Sequence, residues 1–303
     1  MSQVVNWLLG DETPEVKYRT MIELLGISKH DPEAKKTYDA LLGSESLRSV
    51  MDKFALENIW EHINAFLALA EFGLTCDDVP IDEYVERCIE NLNMGTKCAK
   101  ILFLRNLVSL GYSGHPWVQE RVNEAFSAIR HDGSVRCLDK TKGSNDSKLP
   151  DMGCYRQTTT YLLLGAELKK KGIASPQLGL LKRFYRDHEV SFHQESPRKI
   201  IIDEMAGTFY PIDHVHIGLQ MIMYGLSVLG EASHPGCEKA WALLNGKKDG
   251  DGRYILTESF GEPYFAVGKV GQPNKWVTLY VLLAEKYRSS NQRNSLGGFY
   301  EPK

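Results

Sequence analysis

The chain has 303 residues, of which 43% are hydrophobic and 10% aromatic, with a formal net charge of −3. That composition supports a buried core, and the absence of a basic block argues against nucleic acid as the main partner. The opening MSQVVNWLLGDETPEVKYR meets acids and Lys17 straight after a short apolar stretch, unlike a secretory signal, and no run reaches the ~18 apolar residues of a membrane span.

In chain order, residues 3–25 read as a short helical hairpin whose second arm, PEVKYRTMIELLG, opens on Pro14. A stop-and-start signal then recurs: Gly26 with Pro32, Gly73 with Pro80, Gly111 with Pro116, Gly172 with Pro176 and Gly230 with Pro235. Glycine just past a helix end adopts the left-handed conformation that closes it, and proline at the first helical position loses no hydrogen bond. Recurrence of that signal at 38 to 61 residues marks stacked helical hairpins.

The helix after each proline is amphipathic. In 81–92, Ile81, Tyr84, Val85, Cys88, Ile89 and Leu92 share one stripe; 116–129 and 235–244 repeat the pattern. The helix before each glycine is apolar nearly all round, as in 101–110, 217–229 and 276–287. Half-buried and fully buried helices in alternation predict an all-α, α/α toroid: a double ring of about five to six helical hairpins. An open HEAT-type solenoid shares the unit, but its inner helices keep a polar face, which these lack. The expected organisation is a single toroid domain over 1–290 and a polar, mobile tail over 291–303.

Links from outer to inner helices lengthen late in the chain, at 131–153, 188–213 and 247–274, and all fall at one end, over the N-termini of the inner helices. Loops that long in a compact domain carry function, so the working face is expected there. His62, Cys98, Cys154, His216, and Lys275 with Trp276 mark inner-helix starts and are expected to converge on the mouth of a central cavity. Trp60, Tyr161, Tyr224 and Trp276 would line it as an apolar pocket for a small molecule, and unpaired helix N–H groups there favour anions. Asp77, Asp78 and Asp82 read as caps of an outer helix rather than as a metal motif. The six cysteines, Cys76, Cys88, Cys98, Cys137, Cys154 and Cys237, are scattered, and read as reduced thiols of a cytoplasmic protein.

The segment KKDGDGRYILTESFGEPYFAVGKVGQPNKWVTLYVLL (247–283) resembles the repeat of the squalene-cyclase and protein-prenyltransferase toroids, and HDGSVRC (131–137) is a poorer copy. The opening and closing segments are also similar to bacterial toroid-like proteins of unassigned activity. The resemblance implies a cavity for an isoprenoid-like molecule, although the Asp-x-Asp-Asp acid of polyene cyclases is absent. It further implies zinc, held in prenyltransferases by an Asp and a Cys at the head of one inner helix and a His at the next. The matching residues are Asp151 and Cys154, then His214 and His216, 60 and 62 residues beyond Cys154. Zinc would hold an incoming thiol as thiolate, with Cys154, Tyr155 and His216 as the chemical groups, and Tyr155, Arg136, Lys140 or Lys148 facing a diphosphate. The competing reading makes Cys154 a small buried hydrophobe and Asp151, Asp213 and His214 helix caps. Two further function classes stay open. One is a noncatalytic helical-repeat module gripping a peptide or protein partner; the other is a carbohydrate-active (α/α)6 enzyme using Asp203, Glu204, Asp213, Glu258 or Glu262.

Overall fold

The computed structural model describes residues 2–91, 97–136, 153–260 and 265–297. Among them the chain is all-helical, with isolated β-bridges in the links between helices. The α-helices in order are α1 (Gln3–Leu8), α2 (Pro14–Arg19), α3 (Pro32–Leu42), α4 (Glu45–Asp52), α5 (Ile59–Phe72), α6 (Asp82–Glu90) and α7 (Lys97–Ser109). They continue as α8 (Pro116–Ser127), α9 (Tyr155–Lys170), α10 (Leu178–Asp187), α11 (Leu219–Val228), α12 (Glu238–Asn245) and α13 (Lys275–Gly297). A π-helical turn over Thr20–Leu24 prolongs α2. No helix among the described residues is long and apolar enough to cross a membrane.

The ring closes. Helix α5 packs on α7, α7 on α9, α9 on α11 and α11 on α13, while α13 returns to α2, which itself touches α5. The outer layer is formed by α3 on α2, α4 and α6 on α5, α8 on α7, α10 on α9 and α12 on α11. This is the α/α toroid expected from the two kinds of helix, with six inner helices, and its closure removes the open flanks of a solenoid. The cause is visible residue by residue: every side chain of α11 from Leu219 to Val228 is buried, whereas α6 buries only Val85 and Cys88 among its nine residues. All five glycines of the stop signal have positive φ, between +71° and +106°. Pro32 and Pro116 occupy the first helical position, and Pro235 opens a 3-10 turn that leads into α12. The last helix runs six residues past the expected start of the tail, to Gly297; residues 298–303 lie outside the described residues.

The two Asp-Gly links are built alike. In 131–135 the Asp132 carboxylate caps a turn by accepting from Ser134, and Val135 then follows, buried. Val135 N–H donates to the Thr158 hydroxyl of α9 (3.1 Å), while Cys154 N–H donates back to the Val135 carbonyl (2.9 Å). In 249–254 the Tyr254 N–H donates to the Thr278 hydroxyl of α13 (2.9 Å) and Asn274 N–H to the Tyr254 carbonyl (2.8 Å). Each link thereby pins the first turn of an inner helix, and Cys154 occupies the place that the capping residue Asn274 holds in the later copy.

Candidate functional site at the mouth of the ring

The bore of the toroid is not an open funnel. Glu71 of α5, fully buried, accepts from Arg105 Nη1 of α7 (2.9 Å), from the Tyr210 hydroxyl (3.0 Å) and from the Tyr280 hydroxyl of α13. Arg19 of α2 donates to the Glu71 carbonyl (3.0 Å) and the Tyr280 hydroxyl (2.9 Å), and pairs with Glu23. Arg105 also approaches Glu167 of α9 (3.6 Å), which Lys170 meets at 3.2 Å. Burial alone would push the Glu23 carboxyl up, but the Arg19 and Lys170 cations hold it down at about 2. Inner helices from opposite sides of the ring thus meet in one ionic plug, flanked by stacked Tyr210 and Trp276.

On the side of the inner-helix N-termini lies a cavity of about 160 Å³. It is lined by Trp60, Ile63, Asn64 and Leu67 on one stripe of α5, by Ala99, Leu102 and Asn106 on α7, and by Asp213 and His214 of the link before α11. Spacings of three, four and seven put each set on the helix face turned to the bore. Trp60 stays 41% exposed, and its ring stacks with His214 at a centroid distance of 6.5 Å. Asn106 is fully buried, and its Oδ1 accepts from Arg105 Nη1 (3.2 Å), which fixes the amide orientation. The Nδ2 group is then left buried with no acceptor among the described residues. An unmet buried donor costs roughly 1–3 kcal/mol.

The link above the cavity is held firmly. Asp213 accepts from the Val215 and His216 backbone N–H groups, and its carboxylate lies 3.1 Å from His216 Nδ1. That contact keeps the proton on Nδ1 and leaves Nε2 as the basic nitrogen. The His216 ring stacks on Phe209 and meets Phe260 edge-on. Arg156, in the first turn of α9, reaches across to the Val215 carbonyl and pairs with Glu204 at 2.7 Å. Burial lowers the His214 pKa, favouring its neutral form.

Of the residues that the sequence sends to the mouth, Trp60 and His214 line the cavity, and His216 stands behind them on Asp213. His62, Tyr155, Tyr161, Tyr224, Lys275 and Trp276 make their contacts elsewhere. His62, two residues from Trp60, falls on the opposite face of α5: fully buried, it contacts the Leu56 carbonyl through Nε2 (2.7 Å) and packs between Phe54 and Tyr84. Tyr155 points outward to α10, donating to the Val190 carbonyl (2.7 Å) among Phe184 and Tyr185. Tyr161 packs on Phe126 of the outer helix α8. Tyr224 lies toward the far end of the ring, its face near Lys170. Lys275 is paired with Glu12 (2.6 Å), and Trp276 is sealed among Phe72, Tyr210 and Phe265. Cys154 is buried at the head of α9.

Among the described residues no group of three or more His, Cys, Asp or Glu is arranged to hold a metal ion. Asp213 orients His216 through Nδ1, and His214 stacks on Trp60; Asp151, Cys137, Lys140, Lys148 and Glu262 lie outside the described residues. The prenyltransferase-like zinc set is therefore not assembled by the residues that the structure describes. A cavity of 160 Å³ is also about half the lower bound, roughly 300 Å³, of sites for drug-sized ligands, too small for an extended isoprenoid.

Sequence reasoning missed Asn64, Asn106 and the whole central plug. The signal was present: Arg105 and Asn106 interrupt the apolar run 101–110, and Glu71 and Glu167 interrupt the apolar runs 65–72 and 161–168.

No protein-family model matches the chain, and no curated protein matches it. A solved polysaccharide lyase is similar to it at a TM-score of 0.44 and 14% identity, over 80% of this chain and 75% of that one.

Proposed function

We propose that the mouth of the toroid binds a compact small molecule with an apolar body and one hydrogen-bond acceptor. The observation that carries this reading is the Asn106 amide, its Nδ2 without an acceptor, at a cavity walled by Ile63, Leu67, Ala99, Leu102 and an exposed indole, with Asn64, Asp213 and His214 as its other polar groups. The aliphatic stripes of α5 and α7 would hold the body, Asn106 Nδ2 the acceptor, and Trp60 with His214 the outer face. His216, oriented by Asp213, would supply a proton acceptor at the rim. Zinc and an isoprenoid chain are set aside in this reading, because neither the ligand groups nor the space favours them.

Protein purified from its own host and extracted with solvent is expected to release one compact molecule in roughly stoichiometric amount, which Trp60→Ala and Asn106→Leu no longer retain. An empty wild-type protein, or retention unchanged in both variants, would refute the assignment.

A second reading, a carbohydrate-active toroid, is favoured by Trp60 standing exposed beside Asp213, with Glu204 close by on Arg156. An exposed indole offers a pyranose ring a stacking surface, and two carboxylates are what sugar chemistry requires. Release of a sugar in the same extraction would select it.

A further inference from the structure

The opposite end of the ring, where the inner helices terminate, holds a second cavity of about 420 Å³, within the size range of small-ligand sites. Five cationic side chains and two anionic ones line it. Arg105, Glu167, Lys170 and Glu23 are parts of the plug that face this cavity, while Lys29 and Lys171 stand exposed around it.

Helix C-termini carry partial negative charge, so lysines in the last turn of α9 have an ordinary reason to be there. That reason does not extend to Lys29, which belongs to the link after the π-helical turn. Nor does it account for Arg105. That residue is 3% exposed, its Nη1 is bound to Glu71 and Asn106, and its buried Nε–H has no acceptor among the described residues. Neither Lys29 nor Lys171 has a carboxylate within 4.0 Å among the described residues, whereas Arg19 and Lys170 do. The cavity thus combines surplus positive charge, an unmet buried guanidinium donor and tyrosine walls from Tyr18 and Tyr287.

We propose that this cavity is a binding site for a small molecule with a doubly charged oxyanion head of the phosphate-monoester type. Lys29, Lys171 and the guanidinium of Arg105 would receive the head, and Tyr18 and Tyr287 the organic part. Such an anion adds charge-assisted hydrogen bonds that the protein by itself leaves unmade. The site is separate from the mouth, with the ionic plug between them.

The test is calorimetric titration of the full chain with inorganic phosphate and with phenyl phosphate, at constant ionic strength set by potassium chloride. Saturable binding is expected, with a Kd on the order of 1 mM for phosphate and tighter for phenyl phosphate. Lys29→Gln/Lys171→Gln alters two exposed, unpaired side chains, so its melting temperature should match the parent's while phosphate affinity falls at least about tenfold, the worth of one charge-assisted hydrogen bond. Trp60→Ala, at the other end, should titrate like the parent. Absence of saturable heat for both probes, or equal affinity in the double variant and the parent, would overturn the proposal.

Discussion

Replacing Glu71 by leucine tests whether the ring is sealed by its central ionic network. The substitution removes one carboxylate that accepts from Arg105 at 2.9 Å, from the Tyr210 hydroxyl at 3.0 Å and from the Tyr280 hydroxyl. The Arg105 and Glu71 side chains are 4% and 0% exposed, so water cannot take the vacated place. Arg105 would keep its hydrogen bond to Asn106 Oδ1 (3.2 Å) and, as its nearest carboxylate, Glu167 at 3.6 Å. Removing one partner of a buried ion pair costs about 3–5 kcal/mol, because the remaining charge stays desolvated and unmatched. At roughly 2–4 °C per kcal/mol for chains of 150–250 residues or somewhat longer, the melting temperature should drop by about 6–20 °C. Arg105→Leu should fall in the same range. The double variant, which removes both charges, should lose less than the sum by at least about 1 kcal/mol. Urea unfolding followed by far-ultraviolet circular dichroism measures all three. Additivity within about 0.5 kcal/mol, or a loss below about 1 kcal/mol for Glu71→Leu alone, would refute the reasoning and leave the network as ornament on an apolar core.

Acid should loosen the same end of the ring through Glu23. Its folded pKa, held at about 2 against an ordinary 4.5, means its contribution is complete above pH ~4.5 and is lost as pH falls toward ~2. The loss is on the order of 3 kcal/mol, and Glu23→Gln should flatten that limb of the stability–pH curve measured by urea titration. Two glycines of positive φ should respond unequally to alanine. Gly26 has φ +71° with nothing within 4 Å of an added Cβ, so Gly26→Ala should cost only about 1–2 kcal/mol. At Gly133 the added Cβ would lie 2.1 Å from the Leu180 carbonyl oxygen, and Gly133→Ala should cost about 3 kcal/mol or more in thermal unfolding. Thr278→Val leaves the buried Tyr254 N–H without its acceptor and should destabilise by about 1–3 kcal/mol in the same assay. Trp60→Ala, at an exposed position, should change stability by less than about 0.5–1 kcal/mol while abolishing ligand retention, separating binding from folding.

The mouth was legible as a place more than as a set of residues. Long links and inner-helix starts pointed to one end of the ring, and Trp60 and His214 are brought together there. His62 and Tyr155 were assigned to that end by position along the helix alone. Their azimuth around the helix, which decides whether a side chain meets the bore or the outer layer, depends on how each helix is rotated in the ring. For Trp60 and His62 the two-residue offset already implies opposite faces; which face is the inner one follows only from the packing. The zinc reading likewise rested on the spacing of Cys154 from His214 and His216 along the chain; among the described residues no metal-holding group is assembled, and Cys154 sits where Asn274 serves as a cap in the later repeat.

Local rules written in the chain were enough to determine the helical hairpins: glycines that stop helices, prolines that restart them, and two kinds of apolar periodicity. They also determined that one layer must be covered on both sides. The choice of Glu71, Arg105 and Glu167 as partners, and the division of the bore into a small mouth cavity and a basic cavity at the far end, were decided only in three dimensions. Arg105 on α7 lies 34 residues from Glu71 on α5 and 62 from Glu167 on α9, and these charges become neighbours only when the three inner helices pack side by side. Sequence patterns report whether a residue is buried, but not which distant residue shares its burial.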